Sequence, residues 1–269
     1  MKERHNLTIL LSTIVLILAA GASAGGLLLP DLYRDTDFFK ISWKANDIIT
    51  LFIVVPLLII TITFFKKGSQ KSHLLIMGLI AYMLYNYAFY LFGTVFNKFF
   101  LLYVAIFALS IYTLILGLSG IDIKNIISWF NINTPVKWIA SYLFFTTIPL
   151  LIVEGSQCVK FIISGKEPAV PPLIFALDLS IVIPNSLLAG ILLWNCKAWG
   201  YILSLIMLVK GFAYGLVLCL GTMLLAYSKV YGKWDPLMPF YIVIALGGFM
   251  GCFLLFKNFH PQKTLQSHA

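Results

Sequence analysis

The chain has 269 residues, of which 61% are hydrophobic and only 11% charged, with a mean hydropathy of +0.96 and a formal net charge of +9. A soluble domain carries roughly 25% charged residues, so the composition excludes an ordinary soluble fold, and long apolar stretches leave no room between them for a soluble catalytic or ligand-binding domain. The positive balance does not argue for nucleic acid, because Lys and Arg placed in loops beside anionic lipid headgroups account for it.

A bilayer core about 30 Å thick needs about 20 apolar helical residues to cross it. Eight stretches meet that length, at about 7–29, 47–65, 74–96, 99–118, 138–154, 173–193, 201–227 and 240–256. The expected fold is all-α: a polytopic transmembrane bundle of about eight spans with short loops, forming one integral membrane domain over residues 1–269.

The first stretch follows Lys2 and Arg4 and ends near Ala22-Ser23-Ala24-Gly25, which resembles a signal-peptide cleavage site. The apolar run continues to Leu29, long enough to span, and favours a retained helix whose Gly21/Gly25 and Ala22/Gly26 pairs form packing faces. Phe38-Phe39-Lys40-Ile41-Ser42-Trp43 reads as a segment resting on the outer surface. The second span then starts at Asp47, an acid suited to a helix N-terminus, and contains Pro56.

The third span carries Tyr82, Tyr85, Asn86, Tyr87, Phe89 and Tyr90. Tyr82, Asn86, Phe89 and Gly93 fall at i, i+4, i+7 and i+11, so one face sets a polar handle among aromatic rings. Such a face either lines a pocket or makes interhelical hydrogen bonds. Only Asn97-Lys98 separates this span from the fourth, which predicts a tight helical hairpin. Beyond it, Ile123, Ile126, Ile127 and Phe130 recur at helical spacing opposite Asp122, Lys124, Asn125 and Asn131, predicting an amphipathic helix on the inner membrane face.

Tyr85-Asn86-Tyr87-Ala88-Phe89-Tyr90, Phe96-Asn97-Lys98-Phe99-Phe100-Leu101-Leu102-Tyr103 and Leu32-Tyr33-Arg34-Asp35 resemble a family of uncharacterised prokaryotic multi-pass membrane proteins, most closely over about the first 115 residues. The resemblance implies a prokaryotic cytoplasmic membrane and carries over no activity and no catalytic residue.

Glu154 stands at the outer end of the fifth span, which contains Pro149. The sixth contains Asp178 and Pro184-Asn185, and the seventh contains Lys210. Asp178 and Lys210 are the two charges well inside the apolar stretches, and an ionisable residue at such depth marks a candidate functional site. At 1.5 Å per residue their heights differ by about 10 Å, so the expected neighbours of Lys210 are Asn185 and Asn86, with Asp178 above. The candidate solute or ion path comprises Lys210, Asp178, Asn185, Asn86, Tyr85 and Tyr214; Asp47 and Glu154 are weaker candidates as outer carboxylates. The pairs Gly211/Gly215 and Gly247/Gly251 read as helix packing.

With the N-terminus inside, ten Lys and Arg lie on the inner side and eight on the outer. Together with the Lys66-Lys67-Lys71 cluster, this bias places both termini in the cytoplasm. All six Trp fall near predicted span ends, as an interfacial aromatic belt requires. The four Cys are scattered, and His5, His73, His260 and His268 sit at termini or in a loop without metal-ligand spacing.

No HExxH, no serine–histidine pairing and no carboxylate-rich metal motif is visible, so an enzyme is not the expected reading and no cofactor is expected. Two functional classes remain. One is a small-solute or ion permease, proton-linked; the other is a non-transporting subunit, sensor or assembly factor whose buried polar residues hold helices together. Membrane lipids, and a small solute or ion, are the expected partners; no nucleic acid is, and oligomeric state stays open.

Overall fold

A computed structural model describes residues 2–168, 170–228 and 232–261. Lys229, Lys263 and His268 lie outside these residues, as does the side chain of Lys2. Among the described residues, eight helices are long and apolar enough to cross a membrane: Glu3–Leu28, Asp37–Lys66, Gln70–Phe92, Phe100–Ser119, Val136–Ser164, Pro172–Trp194, Ala198–Tyr227 and Met238–Lys257. They are numbered one to eight in chain order below. The protein is therefore a multi-pass, all-α membrane protein. The even number of spans returns both ends of the described chain to one face of the bundle, here the N-terminal face.

Span three is the axle of the fold. Leu74, Ile76, Met77, Leu79, Ile80, Tyr82 and Met83 are buried on successive turns together with His73, Asn86 and Tyr90, and a span that carries polar groups at membrane depth is kept from lipid inside the bundle. It packs chiefly on spans four and seven; span seven in turn packs on spans two, six and eight, and span one closes on spans two and four. Outward faces carry Leu10, Ile17, Phe52, Ile60, Phe145, Ile152, Leu246 and Phe253, all exposed. Lipid in place of water removes the penalty for such a surface.

Spans two and six each contain one widened turn. Residues Thr50–Val54 and Asp178–Val182 are π-helical, with the Val55 N–H reaching back to the Thr50 carbonyl and the Ile183 N–H to that of Asp178. Each turn lies just before a proline, Pro56 or Pro184, whose ring crowds the preceding turn and which donates no hydrogen bond. Pro149 in span five sits within regular α-helix.

Several expectations need correction. The Phe38–Trp43 segment does not rest on a surface: it is the first part of one helix that continues to Lys66. Asp47 is thus ten residues inside its helix, and Glu154 likewise lies ten residues before the Ser164 end of span five. Neither stands at a span end. The amphipathic helix is reduced to a single 3-10 turn, Ile126–Trp129. Its neighbours are pinned instead to the returning chain end, Asn131 N–H to Asn258 O at 2.9 Å and His260 N–H to Trp129 O at 2.6 Å. Ile126, Trp129 and Phe130 turn into the bundle, where Phe130 stacks on Tyr201 at 4.3 Å. Trp138, Trp194, Trp199 and Trp234 are exposed as a belt requires, but Trp43 and Trp129 are buried. His73 is not in a loop: it occupies the first turn of span three, buried and stacked on Phe65.

Candidate functional site

The buried lysine is held by a ring, not by an acid. Lys210 in span seven is 7% exposed, and its Nζ lies 3.5 Å from the centroid of the Tyr85 ring and 5.3 Å from that of Tyr214. Tyr85 and Phe89 stand one turn apart on span three. Tyr214, one turn beyond Lys210, meets Tyr85 edge-on at 4.8 Å and stacks with Phe89 at 6.1 Å. An aromatic face attracts a desolvated cation by about 2 kcal/mol, which offsets most of the roughly 2.5–3.5 kcal/mol that a lysine at a helix centre costs.

The edge of the same ring carries the link to the acids. Tyr85 donates its hydroxyl to Asp178 Oδ1 at 2.6 Å, and Asp178 is the first residue of the π-turn in span six. The widened turn sets the Asp178 side chain toward span three, away from the outward row that includes Ile181 and Leu188. Glu154 of span five lies within electrostatic reach of Asp178, with no hydrogen bond between the two carboxyls; its Oε2 is buried with no partner among the described residues. Four spans thus contribute one series: Lys210 over Tyr85, Tyr85 to Asp178, Asp178 beside Glu154.

No carboxylate lies within ion-pair distance of Lys210 among the described residues; the one ion pair there is Lys40–Asp37 at the surface. Lys210 and Asp178 instead meet the ring and the hydroxyl of the same tyrosine, and the expected neighbours of Lys210 lie elsewhere. Asn185 turns away and donates to Ile181 O in its own helix at 2.8 Å. Asn86 faces Thr50, to which its Nδ2 donates at 3.4 Å. Neither is placed against Lys210. The face Tyr82–Asn86–Phe89–Gly93 also divides: Tyr82 and Asn86 meet Thr50, Phe89 joins Tyr85 and Tyr214, and Gly93 abuts Leu173.

Asp47 forms a second buried acid site, 2% exposed, at the junction of spans one, two and three. Tyr33 donates to its Oδ2 at 2.7 Å and Tyr90 to its Oδ1 at 3.0 Å. A methyl group on Gly26 would stand 2.1 Å from Asp47 Oδ2, so only glycine lets span one close over the carboxyl. Tyr33 belongs to the loop between spans one and two, and burial, followed by the Asp47 carboxylate, pushes its phenol well above the ordinary range. It stays a neutral donor. The sequence Leu32-Tyr33-Arg34-Asp35 does not reveal this role for Tyr33, because nothing local says which acid a loop tyrosine will meet.

Among the described residues no three His, Cys, Asp or Glu converge as a multivalent metal site would require. No protein-family model matches the sequence, and no curated protein or solved structure is detectably similar to it.

Proposed function

We propose that the protein is a permease for a small solute or ion, linked to proton movement. The observation that carries this reading is the series Lys210–Tyr85–Asp178–Glu154, built from four different spans and buried without a direct ion pair. Two buried carboxyls within electrostatic reach of one another repel when both carry a charge, and binding of a proton relieves that repulsion. The series therefore offers a group that takes up and releases a proton, beside a cation whose counter-charge lies one ring away. A solute arriving at Asp178 competes with the Tyr85 hydroxyl, and the ring that moves is the ring that holds Lys210.

One observation favours the second reading, that of a non-transporting subunit. Tyr85 satisfies both partners at once, at 2.6 Å and 3.5 Å, as interhelical glue would. The two readings separate with Lys210→Met and Asp178→Asn, made singly and together. Thermal unfolding in detergent is compared with proton flux in liposomes loaded with a pH dye, under a potassium diffusion potential and with a panel of amino acids, sugars and organic acids outside. Folded single variants that have lost flux support the permease. Single variants that collapse while the double variant recovers show a structural pair instead.

A further inference from the structure

The π-turn of span two faces a group of oxygens that the Lys210 site does not use. Thr50 Oγ1 and Tyr82 OH lie 2.8 Å apart, and Asn86 Nδ2 donates to Thr50 Oγ1 at 3.4 Å. Asn46 precedes Thr50 by four residues, so both side chains occupy one helix face, and its Nδ2 is spent on Ser42 O at 3.1 Å. What remains are two amide oxygens, Asn46 Oδ1 and Asn86 Oδ1, buried and accepting from nothing in the protein. Asn86 is 1% exposed and Asn46 5%.

A buried amide oxygen without a donor costs about 1–3 kcal/mol, and two of them, one beside Thr50 and one a turn away on the Thr50 face, point to a shared external partner. That partner is a donor or a cation, since both atoms are acceptors. The charge balance selects the cation. Asp47 is the next residue after Asn46, the hydroxyls that it meets are neutral, and no Lys, Arg or His forms an ion pair with it among the described residues. Neutral hard oxygens with one carboxylate nearby suit a monovalent alkali ion. A divalent ion is bound through more carboxylates than this. The backbone agrees, because a widened turn before a proline loosens the regular carbonyl ladder, a recurring setting for ion coordination at mid-membrane.

We infer that Asn46, Thr50, Tyr82 and Asn86 line a binding site for a dehydrated sodium ion, with Asp47 as the compensating charge. The site is separate from the Lys210 series and does not depend on the permease reading. Thermal unfolding of the purified full chain in detergent tests it, with NaCl titrated against choline chloride at constant ionic strength. The expected result is a saturable rise in Tm of about 5 °C for the wild type, with KCl weaker. Thr50→Val and Asn86→Leu abolish the rise, and Lys210→Met retains it, which distinguishes this site from the proton-linked one. Coincident Tm values in NaCl, KCl and choline chloride overturn the proposal, as does an undiminished sodium response in folded Thr50→Val. Should both variants fail to fold, calorimetric titration of the wild type with NaCl decides: saturable heat absent from the choline titration supports the site, and none refutes it.

Discussion

At the scale of single residues, Tyr85 does two separable things, and the separation can be measured. Its hydroxyl serves Asp178 and its ring serves Lys210. Tyr85→Phe keeps the ring and leaves a buried carboxyl oxygen without its donor, a loss of about 1–3 kcal/mol. Tyr85→Leu removes both functions and adds about 2 kcal/mol. Chemical unfolding in detergent should therefore rank wild type above Phe and Phe above Leu. Equal losses for Phe and Leu would mean that the ring does not hold the lysine. Depth arithmetic on the sequence made a direct Lys210–Asp178 ion pair the less favoured arrangement without excluding it. It could not find Tyr85 as the bridge, because rotation of span three about its own axis depends on packing from all sides. Asn185 shows the same limit. Its depth matches, yet depth does not report which way a side chain faces.

At the scale of elements, the eight spans were legible because bilayer thickness imposes the same minimum apolar length on all of them. Their ends were less so: spans two and five continue ten residues beyond Asp47 and Glu154, through sequence that includes lysines and polar residues. The two π-turns went unseen, although the chain carries a trace of them. Thr50-Leu51-Phe52-Ile53-Val54-Val55-Pro56 and Asp178-Leu179-Ser180-Ile181-Val182-Ile183-Pro184 share Leu, Ile, Val and Pro at the same four positions. In each, the first residue of the turn meets a tyrosine of span three, Tyr82 or Tyr85. Spans seven and eight allow a sharper test of packing. A methyl group on Gly215 would lie 2.7 Å from the Ala245 nitrogen and 2.9 Å from its Cα, whereas one on Gly211 meets only Ile244, at 4.0 Å. Backbone cannot yield as a flexible side chain can, so Gly215→Ala should destabilise by about 1–3 kcal/mol. Gly211→Ala should stay within about 0.5 kcal/mol of wild type. Thermal unfolding of the two variants side by side checks this, and equal effects would show that the spans do not approach at Gly215 as described.

At the scale of the whole molecule, the parity of the spans sets both ends on one face, and charge alone argues which face that is. Ten basic residues against eight is a small excess, but Lys66, Lys67 and Lys71 fall together beside the ends of spans two and three, where the positive-inside effect is strongest. Cys196 makes the orientation measurable. It is exposed in the turn between spans six and seven, on the N-terminal face, while Asp31 is exposed in the loop between spans one and two, on the opposite face. With Cys158, Cys219 and Cys252 replaced by Ser, a membrane-impermeant maleimide should label Cys196 in inside-out vesicles and leave it unlabelled in right-side-out vesicles. Asp31→Cys, in a chain that also has Cys196→Ser, should give the reverse pattern. Both patterns inverted would place the termini outside and turn the Glu154 end of the buried series toward the cytoplasm. The direction in which a proton enters that series would then be reversed, while every contact within it stayed the same. Labelling of both positions from one side would contradict the eight-span topology itself.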